Sequence, residues 1–72
     1  MAEMAAYQER VVAEKAELDE RLSRLTVFID GPVFKDLAKG DQALLQQQAK
    51  VMAEYASVLG QRIAGFQANE NG

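Results

Sequence analysis

Apolar residues recur along the chain with the period of a helix, in two long blocks separated by one broken stretch. In the first block Met4, Val11, Leu18 and Leu25 stand seven apart, and Leu22 and Ile29 follow four residues after Leu18 and Leu25. Tyr7, Val12 and Phe28 widen that stripe, while Glu9, Arg10, Glu17, Glu20, Arg21 and Arg24 fall on the opposite face. The spacing predicts an amphipathic helix over about residues 4–29, roughly 40 Å long. Glu17–Arg21 and Glu20–Arg24 are i,i+4 pairs in the more favourable orientation.

A second helix is predicted over about residues 41–66. Leu45, Met52, Leu59 and Phe66 repeat every seven residues, and Leu44, Val51, Val58 and Ile63 broaden the face. Gln48, Tyr55 and Arg62 form a companion row that this reading turns towards the core. Asp41 suits the start of the helix, where an acid meets the positive end of the dipole. The tail at residues 67–72, QANENG, has turn composition and is expected to fray.

Between the blocks lies FIDGPVFKDLAKGDQALL, which holds the only proline and two of the five glycines. Asp30 offers an N-cap, Pro32 fits a first helical turn, and Gly40 suits a left-handed stop. A short helix over about 32–38 is therefore expected, with Val33, Phe34 and Leu37 on one side and Phe34 and Leu37 plugging the closed end of a hairpin. DGP and KGD lack the glycine spacing of a phosphate-binding loop, so the stretch reads as an elbow. The predicted fold is all-α: an antiparallel helical hairpin of two long helices with a short connecting helix, in a single domain over 1–72.

Composition adds the assembly. Seventy-two residues are few for a monomeric core, and with neither Cys nor His the chain has no disulfide and no ordinary zinc site to compensate. Association is the remaining route, and a homo-oligomer is expected. A net charge of −3 argues against general nucleic-acid binding, which needs clustered cations to neutralise phosphates. A small anion needs only a few cations in one place. No apolar run approaches the length of a membrane span, and MAEMAAYQER lacks the basic start and apolar core of a secretory signal, so a cytoplasmic location is expected.

Without His and Cys the commonest general base, thiol nucleophile and metal ligand are missing. Ser23 and Ser57 lie inside helical patterns with no base set by spacing, and ten of the eleven carboxylates fit helix faces, caps or solvated ends. The reading is therefore a non-enzyme, with no catalytic residue, metal or cofactor. Polar residues inside the seams are more informative: Gln8 and Lys15 continue the row of Leu22 and Ile29, and Gln48 and Arg62 flank Tyr55. An antiparallel hairpin brings Tyr7, Gln8, Arg10, Val11 and Lys15 towards Val58, Arg62, Ile63 and Phe66. Two readings fit. These side chains fix helix alignment, with Arg62 paired to Glu9 or Glu14, or cations and rings at the open end hold a phosphate- and base-bearing molecule.

The ordered polar anchors carry a resemblance. Y-Q-x-R-V at Tyr7–Val11, L-x-x-F-I at Leu25–Ile29, L-L-x-x-Q at Leu44–Gln48, M-x-x-Y at Met52–Tyr55 and L-x-x-R-I at Leu59–Ile63 resemble a family of very small helical proteins of tailed phages and prophages. In size and helical build these are similar to the anti-CBASS and anti-Thoeris sponge proteins. That similarity implies oligomers that trap cyclic nucleotide immune signals between protomers, in the cytoplasm of the host cell. On this expectation Arg10, Lys15 and Arg62 meet phosphates, Tyr7 and Phe66 stack on bases, and Gln8 reads a base edge. The alternative is a protein-binding module that inhibits or bridges a host or phage protein, with Met52, Leu59 and Phe66 as anchors; a ligand-free scaffold is a third.

Overall fold

The computed structural model describes the backbone of residues 4–71 and the side chains of residues 4–66. Its elements are α1 (Ala6–Ile29), α2 (Pro32–Lys35) and α3 (Lys39–Asn71). Helices α1 and α3 run antiparallel along each other as a rod of 52 × 16 × 14 Å, and α2 closes one end. The all-α hairpin read from the apolar spacing is the fold observed.

The packing face of each long helix is a row spaced alternately three and four residues. On α1 it comprises Gln8, Val11, Lys15, Leu18, Leu22, Leu25 and Ile29; on α3 it comprises Gln42, Leu45, Ala49, Met52, Ala56, Leu59, Ile63 and Phe66. This a/d spacing keeps one stripe of each helix turned to the other along the whole rod. Val11, Phe34, Ala56 and Leu59 are buried, Leu59 completely, and the other seam residues are half-buried. The alanines at 49 and 56 were invisible to a reading that counts large apolar side chains. Their small size lets the two backbones approach where Leu18 and Leu25 face them.

The other rows face solvent. Leu44, Val51 and Val58, assigned above to a broadened core face, are exposed, as are Gln48, Tyr55 and Arg62, assigned to a core-facing row. One helix has only one neighbour in this chain, and the a/d row of α3 already fills that contact. A wide apolar stripe therefore leaves one of its two edges in water.

The elbow differs from expectation in its details. Helix α2 is a single turn, because the chain tightens after it: the Asp36 N–H donates to the Val33 carbonyl and the Leu37 N–H to the Phe34 carbonyl, both at 3.1 Å. Asp30 is the C-cap of α1 and Gly31 the N-cap of α2, with Pro32 first in the turn. Phe34 is buried and Leu37 half-buried against the helix ends, but Val33 turns outwards. No glycine among the described residues has positive φ. Gly40 is helical, because α3 begins at Lys39 and leaves Asp41 in its first turn. Helix α3 also continues to Asn71, through tail residues expected to fray. Gln67, Ala68 and Glu70 are good helix formers.

One side chain holds the elbow. Gln42 Nε2 donates to the carbonyls of Phe34 and Leu37, both at 3.0 Å, and lies 3.3 Å from that of Lys35. The Phe34 carbonyl also accepts the Leu37 N–H, whereas the Leu37 carbonyl lies past the end of α2, where no further turn of that helix supplies a donor. A single amide from the first turn of α3 therefore satisfies the end of α2.

Candidate functional site

The open end of the hairpin, opposite the elbow, gathers the residues singled out in the sequence. Tyr7 on α1 meets Phe66 on α3 edge to face, with ring centroids 5.7 Å apart and planes at 85°. That geometry sets the positive ring edge of one against the negative face of the other. Phe66 is half-buried beneath, whereas Tyr7 is 53% exposed and offers ring surface to solvent. Arg10 lies one turn beyond Tyr7, and Arg62 one turn before Phe66. The ring contact thus holds two guanidinium-bearing turns at the same end of the rod. Both arginines are exposed, and neither forms an ion pair among the described residues.

Two other predicted members are engaged locally. Lys15 Nζ lies 2.7 Å from Asp19 Oδ2 on its own helix, and its stem runs over Gly60: a β-carbon placed there would stand 3.3 Å from Lys15 Cε. Glycine at 60 thus leaves the notch through which the lysine stem passes from the seam to water, keeping its charge hydrated. Gln8 Oε1 accepts the Ala5 N–H at 2.8 Å and so closes the start of α1. That is the half of a capping box still available when the N-cap residue is alanine. Among the described residues the Gln8 Nε2 donors have no other partner.

The sequence suggested Glu9 or Glu14 as an ion-pair partner for Arg62. The observed tie across the helices is different: the Tyr55 hydroxyl donates to the Glu14 carboxylate. This bond, with burial and the Glu14 charge adding to it, raises the Tyr55 pKa above its ordinary value, while the positive charge of Arg62 opposes the shift. Glu14, Tyr55 and Arg62 therefore share one face of the rod. Gln42 is the structural residue that the sequence reading missed. Its one available signal was a polar residue on the a/d row, four positions after the Ala38 carbonyl that its own N–H bonds at 3.0 Å.

Of the two i,i+4 pairs read from spacing on the outer face of α1, Glu20 pairs with Arg24. The residues proposed as anchors for a partner's groove, Met52, Leu59 and Phe66, lie in the seam between α1 and α3, with Leu59 wholly enclosed. They are used inside the hairpin and do not face a partner. The described residues of one chain enclose no cavity, and no helix among them is long and apolar enough to cross a membrane.

Comparison with known proteins supplies the context for this site. A family model described as Sequestin matches residues 5–65. Over 63 residues, covering 88% of this chain and 98% of the relative, the chain is 36% identical to an "uncharacterized 7.5 kDa protein in denB-rIIB intergenic region" of Enterobacteria phage T4. No solved structure matches the chain. The matched span includes α1, the elbow, α3 as far as Gly65 and every predicted site residue except Phe66.

Proposed function

The chain belongs to the Sequestin family of small phage proteins, and from that membership we propose that it is a non-enzymatic immune-evasion protein that sequesters cyclic nucleotide signals of its bacterial host. The family's name speaks for sequestration, and the relative is a phage protein. The chemistry of the open end speaks for the class of ligand. The carrying observation is the Tyr7–Phe66 ring pair with an arginine a turn away on each helix, neither ion-paired among the described residues.

A cyclic nucleotide presents flat bases and at least one phosphodiester carrying negative charge. The exposed face of Tyr7, with Phe66 behind it, offers a stacking surface that tolerates any base. Arg10 and Arg62 supply forked donors suited to phosphate oxygens. Lys15 joins them by leaving Asp19, and that half-exposed pair holds it only weakly, by at most about 1 kcal/mol. Gln8, its Oε1 bonded to the Ala5 N–H, keeps two amide hydrogens to donate to a base edge. With homo-oligomers the ligand lies between protomers, so that assembly holds the pocket open before the ligand arrives and tight binding needs no lid.

Calorimetry with cyclic di- and trinucleotides and cyclic ADP-ribose isomers tests this reading. Heat is expected with at least one ligand, and Arg10→Ala and Arg62→Ala are each expected to weaken it by roughly tenfold or more, as for loss of a charged hydrogen bond. Absence of heat across the panel, with folded protein confirmed by circular dichroism, overturns it.

A further inference from the structure

Helix α3 carries two apolar rows, and its own chain covers one. Leu44, Val51, Tyr55 and Val58 are 65, 54, 44 and 50% exposed. With Gln48 and Arg62 they stand at intervals of four, three, four, three and four residues, the same alternation as the seam that packs on α1. The row is one-sided, for the flank beyond it carries Gln47 and Glu54. A helix with two such rows is built to sit between two neighbours. The hairpin provides one.

We propose that the second neighbour is α3 of another copy of this chain, packed antiparallel about a two-fold axis between Val51 and Tyr55. Three observations choose this occupant. The first is charge: Asp41 opens the row and Arg62 closes it. Antiparallel self-pairing sets Leu44 beside Arg62 of the second copy, Gln48 beside its Val58, and Val51 beside its Tyr55. Asp41 of each copy then falls within one turn of Arg62 of the other, at both ends. Parallel pairing would stack Arg62 on Arg62 and Asp41 on Asp41, which is repulsive. The second is self-complementarity: a two-fold interface uses one patch twice, and this row matches itself when reversed. The third is extent, since from Leu44 to Arg62 the row runs roughly 27 Å, five turns of helix, along one side of the rod.

Tyr55 is tethered for this role by its hydrogen bond to Glu14, which holds the half-exposed ring at the α1 side of the row. The dimer also completes the open end. Each Arg62 is reached by the elbow end of the second copy, so the two candidate sites are built from both chains. The arginine fork has five donors, enough to hold the Asp41 carboxylate of the second copy and a phosphate together. The pairing itself stands on the exposed row and its charges, and holds whether or not a nucleotide is the ligand.

Sedimentation velocity on the full chain is expected to give twice the chain mass. Val51→Asp is expected to give single chains with helicity intact, because Val51 faces away from the α1 seam. D41R and R62D are each expected to weaken the dimer roughly tenfold or more, and D41R combined with R62D to restore most of that loss. The chain has no native cysteine, so a spin label on A43C reports direction: antiparallel helices set the two labels roughly 30 Å apart along the axis, whereas parallel ones set them level. A wild-type chain that sediments singly, a dimer indifferent to V51D, or labels at the same level overturns the proposal. Should a charge variant lose helicity, the A43C distance decides alone.

Discussion

The Tyr55 hydroxyl on α3 donates its hydrogen bond to the Glu14 carboxylate on α1, joining residues 41 apart in the chain. Most of the hairpin is held by apolar contact along one seam, and this bond ties the helices beside it. Its signature is the tyrosine pKa, raised first by the hydrogen bond to Glu14, then by burial and by the glutamate charge. A proton held more tightly in the folded chain stabilises it. That contribution is complete below the ordinary value of 10.0 and disappears as the pH climbs through the raised one, where phenolate faces carboxylate. In a Tyr7→Phe background only Tyr55 titrates as a phenol. Its phenolate absorbance is expected to rise with a midpoint above 10.0, and Glu14→Gln to bring that midpoint down. A midpoint unmoved by Glu14→Gln would show that the bond is absent in solution.

Leu59 is the one wholly enclosed large side chain among the described residues, set near the middle of α3. Leu59→Ala removes three carbons from a site whose helical walls cannot close far. The expected loss is about 3 kcal/mol, a large share of the stability of so small a chain. Urea denaturation followed by helical dichroism measures it. Val58→Ala, one residue away on the outer row, is expected to cost well under half as much at concentrations where the chain is single.

Gln42 tests the elbow. Replacing it by alanine removes the side-chain donor shared by the carbonyls of Phe34 and Leu37, of which Phe34 keeps the Leu37 N–H, for an expected loss of about 1–2 kcal/mol. Gln42→Glu is the sharper probe, since a carboxylate turned towards carbonyl oxygens repels them. Its destabilisation is expected to exceed that of alanine at neutral pH and to shrink as acid protonates the new side chain and restores a donor. Equal denaturation midpoints for the two variants across pH would contradict the arrangement.

At Gly60 the expected change is a gain. Alanine in a helix interior is favoured over glycine by about 1 kcal/mol, and the only obstacle is the flexible end of Lys15 at 3.3 Å. Gly60→Ala should therefore raise the thermal midpoint, with Lys15 swinging aside. If Lys15 serves a ligand, the same variant weakens calorimetric binding while the chain grows more stable, which separates the two roles of the notch.

The recurrence of apolar residues sufficed for two long helices, their antiparallel pairing and the elbow at Pro32. It could not tell which edge of a wide stripe would be covered. Leu44, Val51 and Val58 are as hydrophobic as Leu45, Met52 and Leu59, and only the line of contact between helices separates them. Ala49 and Ala56 passed unnoticed because they matter through smallness, which hydropathy does not record. The capping by Gln42 depends on a turn that ends at Lys35, earlier than the side-chain pattern of Phe34 and Leu37 suggests. At the open end, the types of residue were legible in the sequence. The edge-to-face contact of Tyr7 with Phe66 and the Tyr55–Glu14 bond needed the helices to be aligned in space.

That alignment is guarded by bulk. The contacts of Tyr7 with Phe66 and of Lys15 with Gly60 fix how far one helix is slid along the other, which sets Leu18 over Ala56 and Leu25 over Ala49. A slide of two full turns one way would drive Leu18 against Ile63; the other way it would return Leu18 to an alanine, Ala49, but set Leu25 on the polar Gln42. Either slide takes the lysine stem off its notch at Gly60. Small residues recur every seven positions on this rod but the notch does not, so a misaligned hairpin is penalised at the lysine even where its alanines would forgive it.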